Sequence, residues 1–588
     1  MNEGRWNLDA LYTGFDSGKF KRDMARLDEV NGMLGAEAKR LAGRSPKENL
    51  MAIVPLLEEH KLLSCALSDY CLFRQTTDSS DGAAASANGR VNMLSGAAAR
   101  AMSEITRYIA SISIEELDEA MAGEPGLTQY RNYFRREKQR TQHLLTGDGE
   151  DVAAKYDVSG GKTWEKLQAY ETSGVTEELK GKSLSLTELR NLAYDPDGSV
   201  RKAAYEAELK CYDKIKGPVA FALNSIKLQS ISECELRGFD SVLDKSLFMA
   251  DMKRDTLDAL WGAIDEYLPV FHSYYKAKGG ALGYKNGLPW YEMFAPMGSS
   301  KRTFTIGQAR EYIVNVFSSF DGELAETANR AFAESWIDVY PRKGKVGGAY
   351  CEPTFGAGQF RILTNFGGMF GDVITLAHEL GHGFHEMLVK DNGVLNRDYS
   401  MPVAETASTF NENLLVSYAI DHAESDDEKL MLIENRLQDA AQIICDIYSR
   451  FLFEKEVCDR RGESFMLPDE LCNIMLTAQK KAYGTGLDQS TLNPYMWACK
   501  SHYYSSSLGF YNYPYAFGGL LARGLYEMYL KEGTEFLPKY KAMLREAPAL
   551  SVEDSAKICG IDVSCRDFWR GSLEAFKKDI ELFRRLVK

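Results

Sequence analysis

Residues 371–385 place the strongest restriction on how this chain folds. Their sequence, GDVITLAHELGHGFH, holds His378 and His382 four residues apart, with Glu379 directly after the first histidine. In an α-helix, side chains four residues apart share one face about 6 Å apart along the axis, so both imidazoles can reach one metal ion. Glu379 is rotated about 100° from them, where it can touch a water beside that ion without binding the ion. The pattern therefore predicts a helix with a metal centre on one face.

Chance does not readily produce this pattern. The chain has only 8 histidines among 588 residues, and the expected number of accidental His-Glu-x-x-His matches in such a chain is roughly 0.01. The match is therefore specific. Two core or surface histidines beside a solvated glutamate are the alternative interpretation.

A catalytic zinc site usually has three protein ligands, so a third donor is needed. His385 shares the helix face but lies about 10.5 Å along the axis from His378, too far for both to bind one ion. The metzincin pattern needs glycine at 385 and histidine at 388, whereas this chain has His385 and Leu388. We therefore interpret His385 as a residue that supports the ligands from behind or stabilises the core.

Two acids in the next segment are the remaining candidates for the third ligand. After a polar loop at 391–400, a helix is expected to begin near Pro402, and Glu405 and Glu412 lie two turns apart on it. On a face of small and apolar residues, one acid suits a metal ligand and the other suits an acceptor that orients a ligand histidine. A solvated acidic stripe is the alternative.

The remainder of the chain has the pattern of a mainly helical, all-α protein. Prolines number only 16, and long segments have apolar residues three and four positions apart, as at 200–214. Small and polar residues collect at 76–82 and 146–161, where we expect loops.

Residues 336–370 break the helical pattern because they are rich in glycine and β-formers. They predict a small β-sheet beside the metal-site helix, with strands at 347–351 and 361–366. The edge of this sheet would either receive an extended peptide or belong to a stabilising hairpin.

Charge and composition exclude several classes of protein. The chain has 70 Lys and Arg against 84 Asp and Glu, a net charge of −14, which repels phosphate backbones, so nucleic acid is not an expected partner. Eleven cysteines without a CxxC pair are typical of free thiols in a reducing compartment. No signal sequence and no run of about 18 apolar residues is visible, so we expect a cytoplasmic protein without a membrane partner. No pattern indicates the oligomeric state.

Several segments together carry a family resemblance. HELGHGFH at 378–385, AETASTFNE at 404–412, WNLDALY at 6–12 and the GKVGGAY segment at 344–350 resemble oligoendopeptidase F of the thimet-oligopeptidase-like zinc peptidases. The resemblance extends over nearly the whole chain and is most specific at 336–412.

The resemblance implies one Zn²⁺ per chain, bound by His378, His382 and Glu405, with Glu379 as the base. It also implies a largely helical fold whose two lobes flank a deep substrate channel. Glu412 would then be the acceptor behind a ligand histidine. We expect an N-terminal helical domain at 1–198 and a catalytic domain at 199–588.

An aromatic cluster near the C-terminus reads HYY at 502–504 and GFYNYPY at 509–515. Phenol groups there can donate hydrogen bonds to an oxyanion. In the resembling family a C-terminal histidine and tyrosines play this part, which the resemblance carries onto His502, Tyr511, Tyr513 and Tyr515. Because the chain has 31 tyrosines, an aromatic packing cluster is the alternative.

The sequence thus predicts a zinc-dependent endopeptidase that hydrolyses internal bonds of short, unstructured peptides by means of a metal-activated water. A zinc carboxypeptidase, an aminopeptidase and a non-catalytic helical peptide-binding protein are the alternatives. Cobalt or manganese could replace zinc, and no residue pattern indicates the side chain preferred at the cleavage point.

Overall fold

The computed structural model describes residues 4–588, of which most are helical. The predicted mainly helical class with a small sheet and two lobes is confirmed. Serine side chains begin several of the helices by accepting a backbone N–H, as Ser17, Ser45 and Ser113 do. The first helices of the chain are α1 (Gly18–Ala38), α2 (Pro46–Thr77), α3 (Gly82–Ala97), α4 (Ala99–Ser111), α5 (Ile114–Met121), α6 (Pro125–Thr128), α7 (Arg131–Thr141), α8 (Gly147–Ser159) and α9 (Gly161–Gly174).

The loop predicted at 146–161 is wrong, because helix α8 occupies most of it. Thr146 accepts the backbone N–H of Gly149, and Asp148 and Glu150 in the first turn complement the positive end of the helix dipole. These end effects outweigh the glycine-rich composition. The loop predicted at 76–82 is confirmed in shorter form, between the end of α2 and the start of α3.

A short hairpin and a set of long helices follow. The helix predicted at 200–214 is confirmed as part of α11, whose first turn is capped by Asp197. The elements of this part are β1 (Thr176–Leu179), β2 (Lys182–Ser185), α10 (Leu186–Asn191), α11 (Gly198–Leu236), α12 (Val242–Met249), α13 (Arg254–Ala281), α14 (Ile306–Ser318) and α15 (Gly322–Ala333).

The predicted small sheet precedes the metal-site helix, with its strands shifted in register. It has the order β3 (Ile337–Asp338), β5 (Gln359–Leu363), β4 (Tyr350–Thr354), parallel for the first pair and antiparallel for the second. The first predicted strand starts too early because Gly348 has φ +82°, which is turn rather than strand backbone. Asn365 donates to two carbonyls of that turn and so leaves the second strand early.

The remaining helices surround the predicted metal site and form most of the large core. They are α16 (Phe370–Val389), α17 (Met401–Ala404), α18 (Thr406–Asp421), α19 (Asp426–Ala441), α20 (Ile447–Arg461), α21 (Pro468–Tyr483), α22 (Met496–Cys499), α23 (Tyr513–Glu532), α24 (Leu537–Glu546), α25 (Val552–Ile558) and α26 (Arg566–Leu586). A π-helical segment, Gln442–Asp446, joins α19 to α20.

The buried apolar side chains form one large cluster from Cys234 to Phe583 and three smaller ones. Two of the smaller clusters lie within residues 11–134, and the third joins 175–226 to 453–504. The division at 198 stays a prediction. All eleven cysteines are free thiols, as predicted. Within residues 4–588, no helix combines the length and the apolar character needed to cross a bilayer.

Candidate metal centre

Helix α16 carries the His-Glu-x-x-His pattern, as predicted. Its first turn is fixed by Asp372, whose carboxylate accepts the backbone N–H groups of Gly367 and Met369 at 3.0 and 2.9 Å. The helix is apolar on most of its surface and lies between β5 and α18. It is therefore held at its first turn and on two faces.

Gly381 decides how closely α18 approaches this helix. A Cβ atom at position 381 would lie 2.6 Å from the carbonyl oxygen of Ala407 and 2.6 Å from the Cα of Ser408. These are backbone atoms, so they cannot move aside as a side chain can. Only glycine allows the two helices to pack at this distance, and the second helix brings two acids to the histidines.

Three side chains converge at one point between these helices. His378 Nε2 and His382 Nε2 lie 3.2 Å apart, and Glu405 Oε2 lies 3.4 Å from each of them. The side chains of the three residues are partly exposed, by 24%, 19% and 33%. These are the residues that the sequence and the resemblance predicted as metal ligands, and the structure brings their donor atoms together.

The set of donors fits a divalent metal ion. Two imidazole nitrogens and one carboxylate oxygen are the ligands of several catalytic zinc sites, which keep a further position open. The three donor atoms lie within 4.8 Å of one another, close enough to share one ion. The partial exposure of the side chains leaves that position accessible from solvent.

Glu412 orients one of the histidines. Its Oε1 lies 2.6 Å from His378 Nδ1, and since a carboxylate can only accept, the proton is on Nδ1 and Nε2 faces the other donors. Burial lowers the pKa of His378, but the hydrogen bond and charge of Glu412 outweigh it and raise this pKa to about 9. Burial raises the pKa of Glu405, yet the contact with His382 and the charge of His378 bring it down to about 2.

Glu405 lies at the junction of α17 and α18, not inside one continuous helix. The Ser408 hydroxyl lies 2.9 Å from Glu405 Oε2 and 3.0 Å from the carbonyl oxygen of the same residue, and its one proton is shared between these two acceptors. The junction and this hydroxyl aim the carboxylate at the histidines. A role for Ser408 was not predicted from the sequence, although a serine three residues after an acid can make this local contact.

Glu379 is only 6% exposed. Burial raises its pKa, and the charges of His378 and His382 act in the opposite direction. A carboxylate in this position can hold or release a proton beside the three donor atoms.

His385 does not reach the three donor atoms. Its ring is fully buried, stacks on Tyr399 with centroids 4.0 Å apart, and has Nε2 3.0 Å from the carbonyl oxygen of Leu544. Burial lowers the pKa of His385 to about 3. Tyr399 in turn donates to Glu386 at 2.6 Å. This geometry favours the interpretation that His385 stabilises the core over the interpretation that it supports the ligands.

A cavity of about 400 Å³ adjoins the three donors. His378 and Glu405 form part of its wall, together with Tyr515 from α23. The rest of its wall has an apolar part, which includes Ile374, Val416, Leu432, Ile443 and Phe576, and a polar part formed by Thr409, Glu412, Asn413, Asn435, Arg436 and Asp439. The site therefore combines polar groups at one end with an apolar surface that can accept a side chain of a ligand.

The C-terminal aromatic cluster reaches this cavity through Tyr515. The ring of His502 lies parallel to that of Tyr515, with centroids 6.0 Å apart, and 4.7 Å from the ring of Tyr511. Burial and the neighbouring Tyr511 raise the pKa of Tyr515, so its phenol keeps its proton and can donate it in a hydrogen bond.

The structure does not bring Tyr513 together with these groups. Its side chain is only 1% exposed and its hydroxyl donates to the carbonyl of Ser246, in α12, at 3.3 Å. Burial raises its pKa to about 12. Tyr513 and Tyr515 are therefore only two positions apart, yet the phenol of Tyr513 lies in the core and that of Tyr515 in the cavity wall.

Helix α20 holds the segment that carries these aromatic residues. Arg450 donates to Asn512 Oδ1 at 3.2 Å, and the same oxygen accepts from His502 Nδ1 at 2.9 Å. Because a guanidinium can only donate, this amide atom is the oxygen and His502 must carry its proton on Nδ1. One turn further along, Glu454 accepts the N–H of Phe510, whose φ is +54°. These contacts of Arg450 and Glu454 were not predicted from the sequence because helix α20 and the aromatic segment are far apart in the chain.

This fold and this constellation of residues define a metal-dependent peptidase that cleaves internal peptide bonds. The chain belongs to peptidase family M3, whose family model matches residues 191–562. A second family model, described as oligopeptidase F, matches residues 109–176. The expected substrates are therefore peptides and the expected cofactor is a metal ion.

Relatives of known description are similar over most of their length. The group B oligopeptidase PepB of Streptococcus agalactiae is 25% identical over 79% of this chain and 78% of its own. A solved structure from Chlamydophila abortus has a TM-score of 0.83 at 19% identity, covering 100% of this chain and 98% of that one. Oligoendopeptidase F of Enterococcus faecium has a TM-score of 0.72 at 17% identity, covering 97% and 99%. The two structures share the fold of this protein.

Proposed function

We propose that the protein is a zinc endopeptidase that cleaves short, unstructured oligopeptides, with zinc held by His378, His382 and Glu405. The observation that supports it best is the convergence of the three donor atoms at 3.2 to 3.4 Å, directly beside the buried Glu379. When bound, zinc supplies a positive charge that lowers the pKa of water and polarises a carbonyl group.

Glu379 is the proposed general base. It takes a proton from the attacking water and later gives that proton to the nitrogen of the departing amine, so that one peptide bond is exchanged for a free carboxylate and a free amine. Its burial supports this role because a carboxylate with a raised pKa can both accept and return a proton.

Glu412 is the proposed positioning residue for His378. By accepting the Nδ1 proton, it keeps the Nε2 lone pair directed at the other two donors. A ligand histidine with a free Nδ1 could rotate or change its tautomer, and its affinity for the ion would fall.

Tyr515, with Tyr511 and His502 behind it, is the proposed donor to the oxyanion that develops on the scissile carbonyl. Its support is its place in the wall of the cavity that also contains His378 and Glu405. A preorganised phenol in a site shielded from water stabilises developing charge more than the same phenol in water does.

The apolar part of this cavity supports a preference for peptides with an aliphatic or aromatic side chain next to the cleaved bond. Its volume of about 400 Å³ is large enough for one such side chain. The polar groups of a main chain would remain at the end where the donors lie.

Digestion of a peptide library, with and without a chelator, tests this function in one measurement. Mass spectrometry should show internal cleavage beside apolar residues, absent after chelation and restored by Zn²⁺. Products shortened only from one terminus would favour a carboxypeptidase or an aminopeptidase. Binding of peptides without hydrolysis in the presence of metal would contradict the proposal. Elemental analysis of the purified protein separates zinc from cobalt and manganese.

We also propose a cytoplasmic location. Its support is that all eleven cysteines are free thiols, five of them fully buried, which suits a reducing compartment. Cell fractionation followed by detection of the protein tests it, and a pool found only outside the cytoplasm would contradict it.

A further inference from the structure

A second cavity, of about 450 Å³, adjoins the cavity beside the metal centre. Asp439, at the end of α19, lines both this cavity and the one beside the three donors. The second cavity is bounded by α10, the first turns of α11, the π-helical segment and residue 500, and its wall includes Tyr194, Tyr205, Trp290, Tyr291 and Phe294. The two cavities are therefore neighbours, and the second is a chamber with a partly aromatic wall.

Three cationic side chains line this chamber together with three acids, Glu208, Asp439 and Asp446, and two of the cations have a carboxylate partner. Arg201 donates to both the carboxylate of Glu292 and the carbonyl of Asp195. Arg190 has a single carboxylate near it, Glu208 at 3.6 Å, which itself accepts the hydroxyl of Tyr212 at 2.7 Å. At 3.6 Å the contact between Arg190 and Glu208 is no hydrogen bond.

Lys500 is the least satisfied of the three. Throughout residues 4–588 no carboxylate oxygen lies within 4.0 Å of its ammonium group, and neither Lys500 nor Arg190 donates a side-chain hydrogen bond to the protein. Asp446, the acid that faces Lys500, is bound to Arg450. Burial lowers the pKa of Lys500 while the charge of Asp446 raises it.

The unused donors of Lys500 and of Arg190, whose side chain is 35% exposed, are available to an anionic ligand. Removing a cation from water costs free energy unless an anion or hydrogen-bond acceptors replace the water. A guanidinium and an ammonium side by side offer several donors, and the planar guanidinium matches a carboxylate in particular. Asn191 and Gln442 add neutral polar groups to the same wall.

We propose that Arg190 and Lys500 bind a carboxylate of the peptide substrate, remote from the bond that is cleaved. This inference rests on the proposed endopeptidase function and adds a class of substrate to it. The carboxylate belongs either to the C-terminus of the peptide or to an acidic side chain.

Peptides with one fixed cleavage site test the proposal. The segment on the C-terminal side of this site is lengthened one residue at a time. Each length is made in three forms: with a free C-terminal carboxylate, with a C-terminal amide, and with a C-terminal amide whose last residue is glutamate. We expect the free acid to have a KM lower than the amide by roughly ten- to a hundredfold over a narrow range of lengths, as expected for a charge-assisted contact. Rescue by the glutamate amide would assign the site to acidic side chains, whereas no rescue would assign it to the C-terminus.

Substitutions of the two cations test whether they cause the difference in KM between free acid and amide. Lys500→Met and Arg190→Met should each remove most of the difference between acid and amide while the amide is cleaved with nearly unchanged kcat. Lys455→Met, an exposed lysine paired with Asp459, is the matched control and should keep the full difference. Thermal unfolding identifies a variant that has not folded, and the comparison of acid with amide in the natural protein needs no variant.

Equal KM values for acid and amide at every length in the natural protein would overturn the inference, as would variants that weaken both peptides to the same extent. Neither result would contradict the proposed endopeptidase function, which requires only that the amides are cleaved internally and that a chelator abolishes the cleavage. Loss of all metal-dependent cleavage would instead contradict the proposed function itself.

Discussion

Single side chains of the metal centre are distinguished from their neighbours by burial and by the partner that each contacts. His378 and His382 are one helical turn apart and meet, whereas His385, one turn further, binds the carbonyl of Leu544 in the core. The sequence predicted this difference from the rise of a helix. It could not separate Tyr515 from Tyr513, because only the packing of α23 shows which phenol faces the cavity.

Glu379→Gln should keep the metal and lose nearly all turnover. Glutamine is of the same size but cannot accept the proton of water, and general-base catalysis contributes typically about a hundred- to ten-thousandfold. Metal content by elemental analysis and kcat on a library peptide measure the two properties separately. A fully active variant would exclude Glu379 as the base.

Tyr515→Phe should lower kcat by about a hundred- to a thousandfold with little change in KM, since removal of one oxyanion donor has this effect in other enzymes. Tyr513→Phe is the matched control because it removes the same hydroxyl from a residue whose hydroxyl contacts Ser246 instead of the cavity. Steady-state kinetics of both variants decide the matter. Similar losses in the two variants would show that the effect arises from helix packing.

Glu386→Gln should flatten the pH dependence of stability. Burial raises the pKa of Glu386 from an ordinary value of 4.5 to about 7, against the hydrogen bond from Tyr399. The folded protein thus retains a proton that the unfolded chain loses, so the free energy of unfolding falls as pH rises from about 4.5 to about 7 and levels off above. Denaturant unfolding between pH 5 and 8 measures the free energy of unfolding of both proteins. Relative to the natural protein, the variant should become more stable as pH rises to about 7. A difference in stability that does not change with pH would contradict this.

Pairs of elements, and not single helices, build the metal centre. Helix α16 supplies both histidines, while the junction of α17 and α18 supplies Glu405 and α18 supplies Glu412. The sequence predicted both elements from their patterns. It did not predict α8, because the capping by Thr146 and the acids of the first turn outweigh a composition typical of loops.

Gly381→Ala should separate α16 from α18. Its methyl group would lie 2.6 Å from backbone atoms of Ala407 and Ser408, so we expect a loss of about 1 to 3 kcal/mol in the free energy of unfolding, typical of overpacking, together with weaker metal binding. Gly371→Ala, on the same helix but with no neighbour within 4 Å, is the control. Alanine there should be neutral or stabilising by at most about 1 kcal/mol.

Denaturant unfolding and titration with Zn²⁺ measure both effects of this exchange. If Gly381→Ala matched Gly371→Ala in stability and in metal affinity, the close contact between the helices would not be what holds the centre together.

In the whole molecule, distant parts of the chain line the cavity at the metal centre and the neighbouring cavity. Residues of α10 and α11 line one of them, and residues of α18, α19, α23 and α26 line the other. Asp439 lines both, so the two cavities are neighbours. A site in such a cavity, with partly buried donors, favours flexible chains over folded ones.

Tryptic peptides should therefore be cleaved and the folded protein from which they derive should not. A folded chain cannot bring a main-chain carbonyl to donors that are only 19 to 33% exposed without unfolding locally. Incubation of the enzyme with both forms, followed by mass spectrometry, measures this. Equal rates of cleavage would rule out a filter by size, and a denatured, alkylated form of the same protein controls for sequence.

The sequence by itself determined the helical class, the helix of the two histidines, the small sheet before it and the two acids that follow. These features depend on contacts a few residues apart, which the periodicity of helices and strands fixes. Only the tertiary structure decided which acid faces which nitrogen, that Ser408 aims Glu405, that Asn512 and Arg450 hold His502, and that Arg190 and Lys500 share a chamber. Apart from the local contact of Ser408 with Glu405, those contacts join residues that are well separated in the chain, so they depend on how the helices pack. Helices α16 and α18, for example, approach to a distance that only Gly381 permits.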